Sequence, residues 1–410
     1  MGMALVLLTC CGLSTPTVRA GEPKLIEVLA IGATIAPATQ IVTWLTADPL
    51  TSVSQVPTRG FGEVLSPEAY TRFVRLYLPR NYDAMLEYDL FIYVGGCVEF
   101  ITPTQTALLK SVVVEGGKGA LADLGGVSTE VNLIETWINS GIWEIFPSDA
   151  VGVYASGDWW RAQRPFTIRL LSDRENDPLE PFLPLGVEKI VGNYGRLIIP
   201  QPGSTIYATM AGIVFLGYDE PPFLVAWDHG KGRTMLVAEF FNWQWFRSPA
   251  EGGQNEYSLD IVLNMLMNVL DRPVFQDVLL LHNARLRIGE YHQRYVMLIS
   301  VLDFVEGFGA NTGPIRGDLE EIQGLFDQAK AEYLQQNLEA SISAMDAIIQ
   351  RMALISGDAF ALKDRALLWV YTIEWLAVSG TVMASGTLLY TVMLRRRMFR
   401  EPRTTRFVER

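Results

Sequence analysis

Cysteine and histidine are scarce, with three of each in 410 residues. Cys10 and Cys11 fall in an apolar amino-terminal stretch, which leaves Cys97 alone in the body of the chain. A disulfide framework is thereby excluded, and the body has to be held by its own hydrophobic core. His229, His282 and His292 show neither HExxH spacing nor a neighbouring cysteine pair, so no metal centre is expected. His282 and His292 fall on one predicted helix about 280° apart and share no face. No cofactor is expected either. Basic residues are also in deficit, 33 against 45 acidic, for a net charge of −12. That balance argues against nucleic acid as a partner, whose recognition wants a basic face. Asn-x-Ser/Thr sequons are absent. A eukaryotic surface protein of this size usually carries one, so a prokaryotic envelope is the better expectation.

What the chain does have is concentrated at its ends. A long apolar run over 366–394 leads directly into Arg395, Arg396 and Arg397. A bilayer needs about 20 apolar residues, and arginines after the run mark the cytoplasmic side. Seven arginines against Glu401 and Glu409 give the tail, 395–410, a charge of +5, so the remainder carries −17. Basic residues near a membrane surface gain about 1 kcal/mol each from anionic headgroups. Trp369 and Trp375 fall where an outer aromatic belt belongs, and Glu374 then reaches the interface. At the other end, 4–13 is a short apolar core and Val18-Arg19-Ala20 offers small residues at cleavage spacing. Residues 1–20 therefore read as a secretory signal. A lipoprotein reading on Cys10 or Cys11 is weaker, because Leu7-Leu8-Thr9 lacks the small residue usual before a lipidated cysteine. The expected location is the cell membrane, single-pass, with the amino end outside, the tail cytoplasmic, and the lipid bilayer and other membrane or envelope proteins as partners.

Between the ends, 24–275 alternates short apolar runs with amphipathic stretches and glycine-rich turns, the pattern of an α/β sheet covered by helices. Strands are predicted over 25–31, 86–94, 119–124, 150–154, 212–216, 224–227 and 233–239, and helices over 67–78, 103–115 and 258–270. Ser66-Pro67 and Thr102-Pro103 each place a capping hydroxyl before a proline at the first helical position. Asp228-His-Gly-Lys-Gly232 reads as a hairpin turn, which leaves His229 exposed. From 277 to 365 proline and glycine thin out and helical spacing takes over. One long helix over 278–308 precedes a helical hairpin over 315–334 and 338–352. Ala329, Tyr333, Ala340, Ala344 and Ala347 resemble the packing face of half a tetratricopeptide unit, which cannot bury that face alone.

Three segments carry a family likeness: Tyr88-Asp-Leu-Phe-Ile-Tyr-Val-Gly-Gly-Cys97, Thr102-Pro-Thr-Gln-Thr-Ala-Leu-Leu109 and Val114-Glu-Gly-Gly-Lys-Gly-Ala-Leu121. With Gly230-Lys-Gly-Arg-Thr-Met-Leu-Val-Ala238, they resemble class I glutamine amidotransferase-like domains, including the degenerate trehalose-utilisation-like and envelope branch. The resemblance covers 24–275. It implies a flavodoxin-like sheet with helices on both faces, followed here by a helical stalk and one transmembrane helix. Activity in that family needs a cysteine on a tight strand-to-helix elbow. This chain reads Asp123-Leu-Gly-Gly-Val-Ser128 there, and Asn242, Trp243 and Gln244 where a catalytic histidine is wanted.

Cys97 is the one candidate nucleophile, with His229 as its possible base, but Phe100, Ile101 and Thr102 separate it from the next helix. The bland reading, a small residue in a strand-end loop, is favoured. Gly95, Gly96, Asp158, Trp159, Asn242 and Trp243 are candidate ligand-binding residues, because strand ends are where α/β sheets bind ligands. Ordinary packing is again the plainer explanation of the aromatics. The acidic segment 172–177 lacks the glycine and terminal glutamate of a calcium loop and is expected to be solvated. The expected role is an extracytoplasmic binding or scaffold protein, a subunit of an envelope complex, more a non-enzyme than an enzyme. A tethered hydrolase or amidotransferase using Cys97 and an oligomerising stalk are the alternatives.

Overall fold

A computed structural model describes residues 25–35, 40–60, 65–124, 133–149, 165–171, 174–192, 195–215, 217–241, 245–246 and 255–400. The signal segment and the predicted strand over 150–154 lie outside these. The described chain divides into two units, one running to His282 and taking in Ala331–Asn337, the other comprising Asn283–Lys330 and the chain from Leu338 onward.

The first unit is an α/β domain on an eight-stranded mixed sheet. In chain order its strands are β1 (Ile26–Gly32), β2 (Thr51–Pro57), β3 (Leu90–Val94), β4 (Gly119–Asp123), β5 (Thr167–Leu170), β6 (Thr205–Ala211), β9 (Pro222–His229) and β10 (Gly232–Val237). The short pair β7 (Val214–Phe215) and β8 (Tyr218–Asp219) forms a separate ribbon. Across the large sheet the order is β2-β1-β3-β4-β10-β9-β6-β5. The first five run parallel to their neighbours, and β9, β6 and β5 continue antiparallel. Every residue of β3, Leu-Phe-Ile-Tyr-Val, is buried, as is every residue of β4. Strands covered on both faces read as continuous apolar runs, and these two lie in the middle of the parallel half.

The helices of this unit are α1 (Ile41–Ala47), α2 (Pro67–Tyr77), α3 (Tyr82–Leu86), α4 (Pro103–Val114), α5 (Leu133–Ser140) and α6 (Ser258–Val269). Thr102 forms a full capping box with Gln105 at the start of α4, and the Ser66 hydroxyl accepts from the Ala69 amide at the start of α2. Helix α6 is buried almost throughout, as expected of a helix apolar on nearly all sides. Its two asparagines tie it to neighbouring segments. Asn264 exchanges hydrogen bonds with the Phe275 backbone at 3.1 and 2.9 Å. Asn268 donates to the Tyr207 hydroxyl at 2.9 Å and to the Asn176 carbonyl at 2.8 Å.

Several expectations are corrected. The predicted strand over 86–94 begins only at Leu90, because Asn81 caps the short helix α3 through the Ala84 amide. The predicted strand over 212–216 shrinks to β7. In the acidic segment, Asn176 and Asp177 are not a solvated loop. Asn176 ties the Arg272 and Val274 backbone at 2.9 Å each, and Asp177, 5% exposed, accepts from the Leu179 and Glu180 amides. The end of the helical hairpin also belongs to this unit, where Tyr333, fully buried, donates to Asp48 at 3.0 Å.

The second unit consists of helices. Its share of α7 (Val278–Glu306), α8 (Gly313–Leu334) and α9 (Leu338–Arg400) packs through Tyr291, stacked on Phe326 at 4.1 Å with its hydroxyl on Gln323 at 2.8 Å. Ion pairs Arg287–Asp346 and Arg351–Glu321 join α9 to α7 and α8. The expected alanine face is only partly right. Ala329 is buried, but Ala347 is exposed, and Met345, Ile348 and Met352 carry the packing of α9. Hairpin helix and predicted span are one continuous helix of 63 residues. Gly357 sits in its interior, and a single glycine costs a helix only about 1 kcal/mol relative to alanine.

Burial pushes the Asp177 carboxyl up to about 6, against the opposing pull of its two amide partners. Between the ordinary value of 3.8 and about 6 the folded chain therefore holds more protons than the unfolded one, so stability falls as pH rises through that window. Asp177→Asn keeps an amide acceptor and removes the charge. Chemical denaturation at pH 4 and pH 7.5 is expected to show the variant near wild type at pH 4 and more stable by about 2 kcal/mol at pH 7.5.

Candidate functional site

Parallel strands β1, β3, β4 and β10 all point their carboxyl ends at one edge of the sheet, the edge where α/β proteins place ligands. Four loop starts meet there. β4 ends in Asp123, fully buried, whose carboxylate accepts from the Gly95 amide after β3 at 3.0 Å and from the Phe241 amide after β10 at 3.5 Å. One acidic side chain thus fixes two neighbouring loops. Glu239, two residues past β10, is also fully buried, and Arg196 is 4% exposed with its amide on the Ala238 carbonyl at 2.8 Å.

The loops after β1, β2 and β3 are pressed together. The Cys97 amide donates to the Arg59 carbonyl at 2.6 Å, the Thr58 amide to the Gly32 carbonyl at 2.8 Å, and the Trp137 indole to the Gly96 carbonyl at 2.8 Å. Gly96 has no room for a side chain, since a Cβ there would stand 2.2 Å from the Gly32 Cα and 2.6 Å from the Thr58 hydroxyl. The Thr34 and Thr58 hydroxyls are buried at this edge with no hydrogen-bond partner among the described residues. Tyr93, the fourth residue of β3, lies beneath, edge-on to Phe146 at 5.4 Å and to Trp137 at 5.8 Å. Burial pushes its phenol far up and keeps it neutral.

Gly95, Gly96 and Cys97 are thus brought to the expected edge. Asp158, Trp159, Asn242 and Trp243 lie outside the described residues. Cys97 is 1% exposed beneath the Arg59 segment, five residues before the first residue of the α4 capping box, so it does not stand at the start of α4, the helix that follows it. His229 is not exposed as expected but half-buried, stacked on Trp227 at 4.1 Å, and burial followed by the Lys110 charge holds its pKa down. It closes β9 at the opposite edge of the sheet, paired with Gly232 where β10 begins. The turn there is Gly230-Lys231, with Gly230 at φ +66° and against the end of α4, where a Cβ would meet the Val114 carbonyl oxygen at 2.3 Å. Five residues of β10 separate that edge from the loops at Val237, about 16 Å at strand spacing. Cys97 and His229 thus lie at opposite edges of the sheet, and the candidate pairing on which the alternative reading drew is not formed.

Another pairing was not foreseen. His282 Nδ1 lies 2.8 Å from Asp260, which is fully buried in α6, and its ring packs on Tyr257 at 4.8 Å. Asp123 and Glu239 also went unrecognised as site residues. Their signal was available, since each is an acid closing a buried apolar run, Gly-Ala-Leu-Ala and Thr-Met-Leu-Val-Ala. Among the described residues no three His, Cys, Asp or Glu side chains gather as a metal site.

No protein-family model matches the chain, and no curated protein matches it. Among solved structures it is similar to a cytoplasmic protein from Salmonella typhimurium, at 17% identity over 59% of this chain and 98% of the other, with a TM-score of 0.40. A second cytoplasmic protein, from Salmonella typhimurium LT2, is 16% identical over 59% and 99%, with a TM-score of 0.42. PurLQS from Thermotoga maritima is 13% identical over 59% and 100%, with a TM-score of 0.32. At these values the likenesses assign neither activity nor ligand.

Asp123→Ala is expected to destabilise the α/β unit by about 2–4 kcal/mol, because two buried amides lose their acceptor. Asp123→Asn, which keeps one acceptor oxygen, is expected to lie between. Equilibrium denaturation of the three proteins checks the order, and a wild-type midpoint for Asp123→Ala contradicts the role given to that carboxylate.

Proposed function

We propose that this chain is a membrane-anchored extracytoplasmic binding or scaffold protein. Its α/β unit is a catalytically degenerate relative of the amidotransferase-like domains, and it serves as a subunit of an envelope complex. The observation that carries the reading is the state of the strand-end edge. The Gly95-Gly96-Cys97 loop is closed over by the Thr58, Trp137 and Phe240 side chains, and Cys97 is 1% exposed. A nucleophile so placed has no access to substrate. The edge is suited instead to holding loops in fixed positions for recognition, which is how α/β scaffolds present binding surfaces.

Anchoring is supported by α9. It is long and apolar enough to cross a membrane, and the apolar window is not buried within the chain. Arg395, Arg396 and Arg397 follow it in the same helix, giving the cytoplasmic end, while the acidic remainder lies outside. Trp369 and Trp375, both well exposed, then form the outer belt, with Glu374 at their level.

Two measurements test this reading together. Protease added to intact cells is expected to cut within 25–365 and to leave an epitope after Arg397 intact. A thiol-directed probe at neutral pH is expected to label Cys97 in the folded full chain many-fold more slowly than in the denatured chain. Rapid labelling of the native protein, with loss of function in Cys97→Ser, would return the chain to the enzymes.

A further inference from the structure

The second unit exposes large aromatics where a water-facing stalk has no use for them. Phe304 and Phe308 are 45% and 48% exposed, and their rings pair edge-on at 5.0 Å across the end of α7. They precede the short connection to Gly313, where α8 begins. Ion pairs fix the height of this turn. Helices α7 and α9 run the same way, with α8 returning between them, and Arg287 on α7 pairs with Asp346 on α9. The same offset carries Phe308 to about the level of Leu367, at equal rise per residue. That is where burial along α9 stops. Ala366 is 8% exposed, whereas Leu368, Trp369 and Tyr371 are 59–66% exposed. Phe360, on α9 about 9 Å before Ala366, is 41% exposed, with the Lys363 ammonium 6.0 Å from its ring centroid.

We propose that the α7–α8 turn is a second point of contact with the bilayer, Phe304 and Phe308 entering the boundary between headgroups and acyl chains beside the outer end of the span. This rests on the reading of α9 as a membrane span. Exposed aromatics grouped at one height, next to an exposed apolar helix, have the composition and position of an interfacial belt. The charges nearby suit the headgroup layer. Arg316 binds both Asp303 and Glu306, at 2.9 and 2.7 Å, so the acids of the turn are partly compensated. Lys363 and Arg365 flank Asp364 on α9 and can meet lipid phosphates. A lone span is free to tilt in its bilayer, and a second contact on a neighbouring helix restricts that freedom. The helices of the second unit are thereby held at a fixed angle to the membrane.

The test uses the full chain in nanodiscs of phosphatidylcholine and phosphatidylglycerol, with Cys10 and Cys11 replaced by serine and Cys97 left buried. Nitroxide labels are placed one at a time at Phe308→Cys, Phe304→Cys, Leu354→Cys and Val382→Cys. Leu354 lies on α9 about 18 Å before Ala366 and is the water reference, and Val382 within the span is the deep one. Collision with a water-soluble nickel complex is expected to fall several-fold at 308 and 304 relative to 354, with oxygen collision rising toward the value at 382. If 382 is deep while 308 and 304 match 354, the second contact is refuted and the anchor stands. If 382 itself is open to nickel, both readings fail. Labels at 308 and 304 shielded from both nickel and oxygen would show protein covering the turn, a partner or a second copy, and would also refute the proposal.

Discussion

Apolar surface that the chain cannot bury for itself governs the rest of this structure. From Leu368 to Leu394 nearly every large side chain of α9 is well exposed, including Leu376, Val382, Leu388 and Val392 at half their area or more. Removing apolar area from water is worth about 25 cal/mol per Å², so a helix of this kind is strongly driven to leave water. A bilayer accommodates it with every backbone hydrogen bond already made. The arginines that follow the run and the aromatics near its start agree with the proposed span.

Inside the α/β unit the organising choice is different. The sheet edge that usually serves chemistry is held by buried polar ties, with Asp123 joining the loops after β3 and β10, and Trp137 and Arg59 gripping the Gly96-Cys97 backbone. Buried polar groups that are fully engaged fix a single arrangement of the chain. The Thr34 and Thr58 hydroxyls stand out against that background, buried and without a partner among the described residues. A rigid edge of this sort serves recognition well, since loops already in place lose little entropy when they bind.

Much of the fold was legible in the sequence where local chemistry and burial agree. Thr102-Pro103 with Gln105, the apolar β3 and β4, the turn at Gly230-Lys231 and the continuous helical spacing after 277 all signal their structure directly. Strands β2, β5 and β6 were missed because Thr51-Ser-Val-Ser-Gln-Val-Pro and its counterparts mix polar and apolar residues and lie toward the antiparallel side or the outer edge of the sheet. There, pairing with a neighbour decides the conformation, and propensity does not. Helix α1, Ile-Val-Thr-Trp-Leu-Thr-Ala, is rich in β-branched residues and forms because Ile41, Val42, Trp44 and Leu45 are buried together. The site was less legible than the fold. The position of Gly95, Gly96 and Cys97 followed from the strand before them, but the separation of Cys97 from His229 is a fact of topology, visible only once β10 is known to run parallel to β4.

The central claim is that α9 resides in a membrane, and extraction tests it most directly. Membranes from cells expressing the full chain, or a version ending at Arg365, are washed with alkaline carbonate and floated on a density gradient. The account predicts that the full chain stays with the floated lipid while the shortened chain is released as a folded soluble protein. Release of the full chain into the supernatant would contradict it.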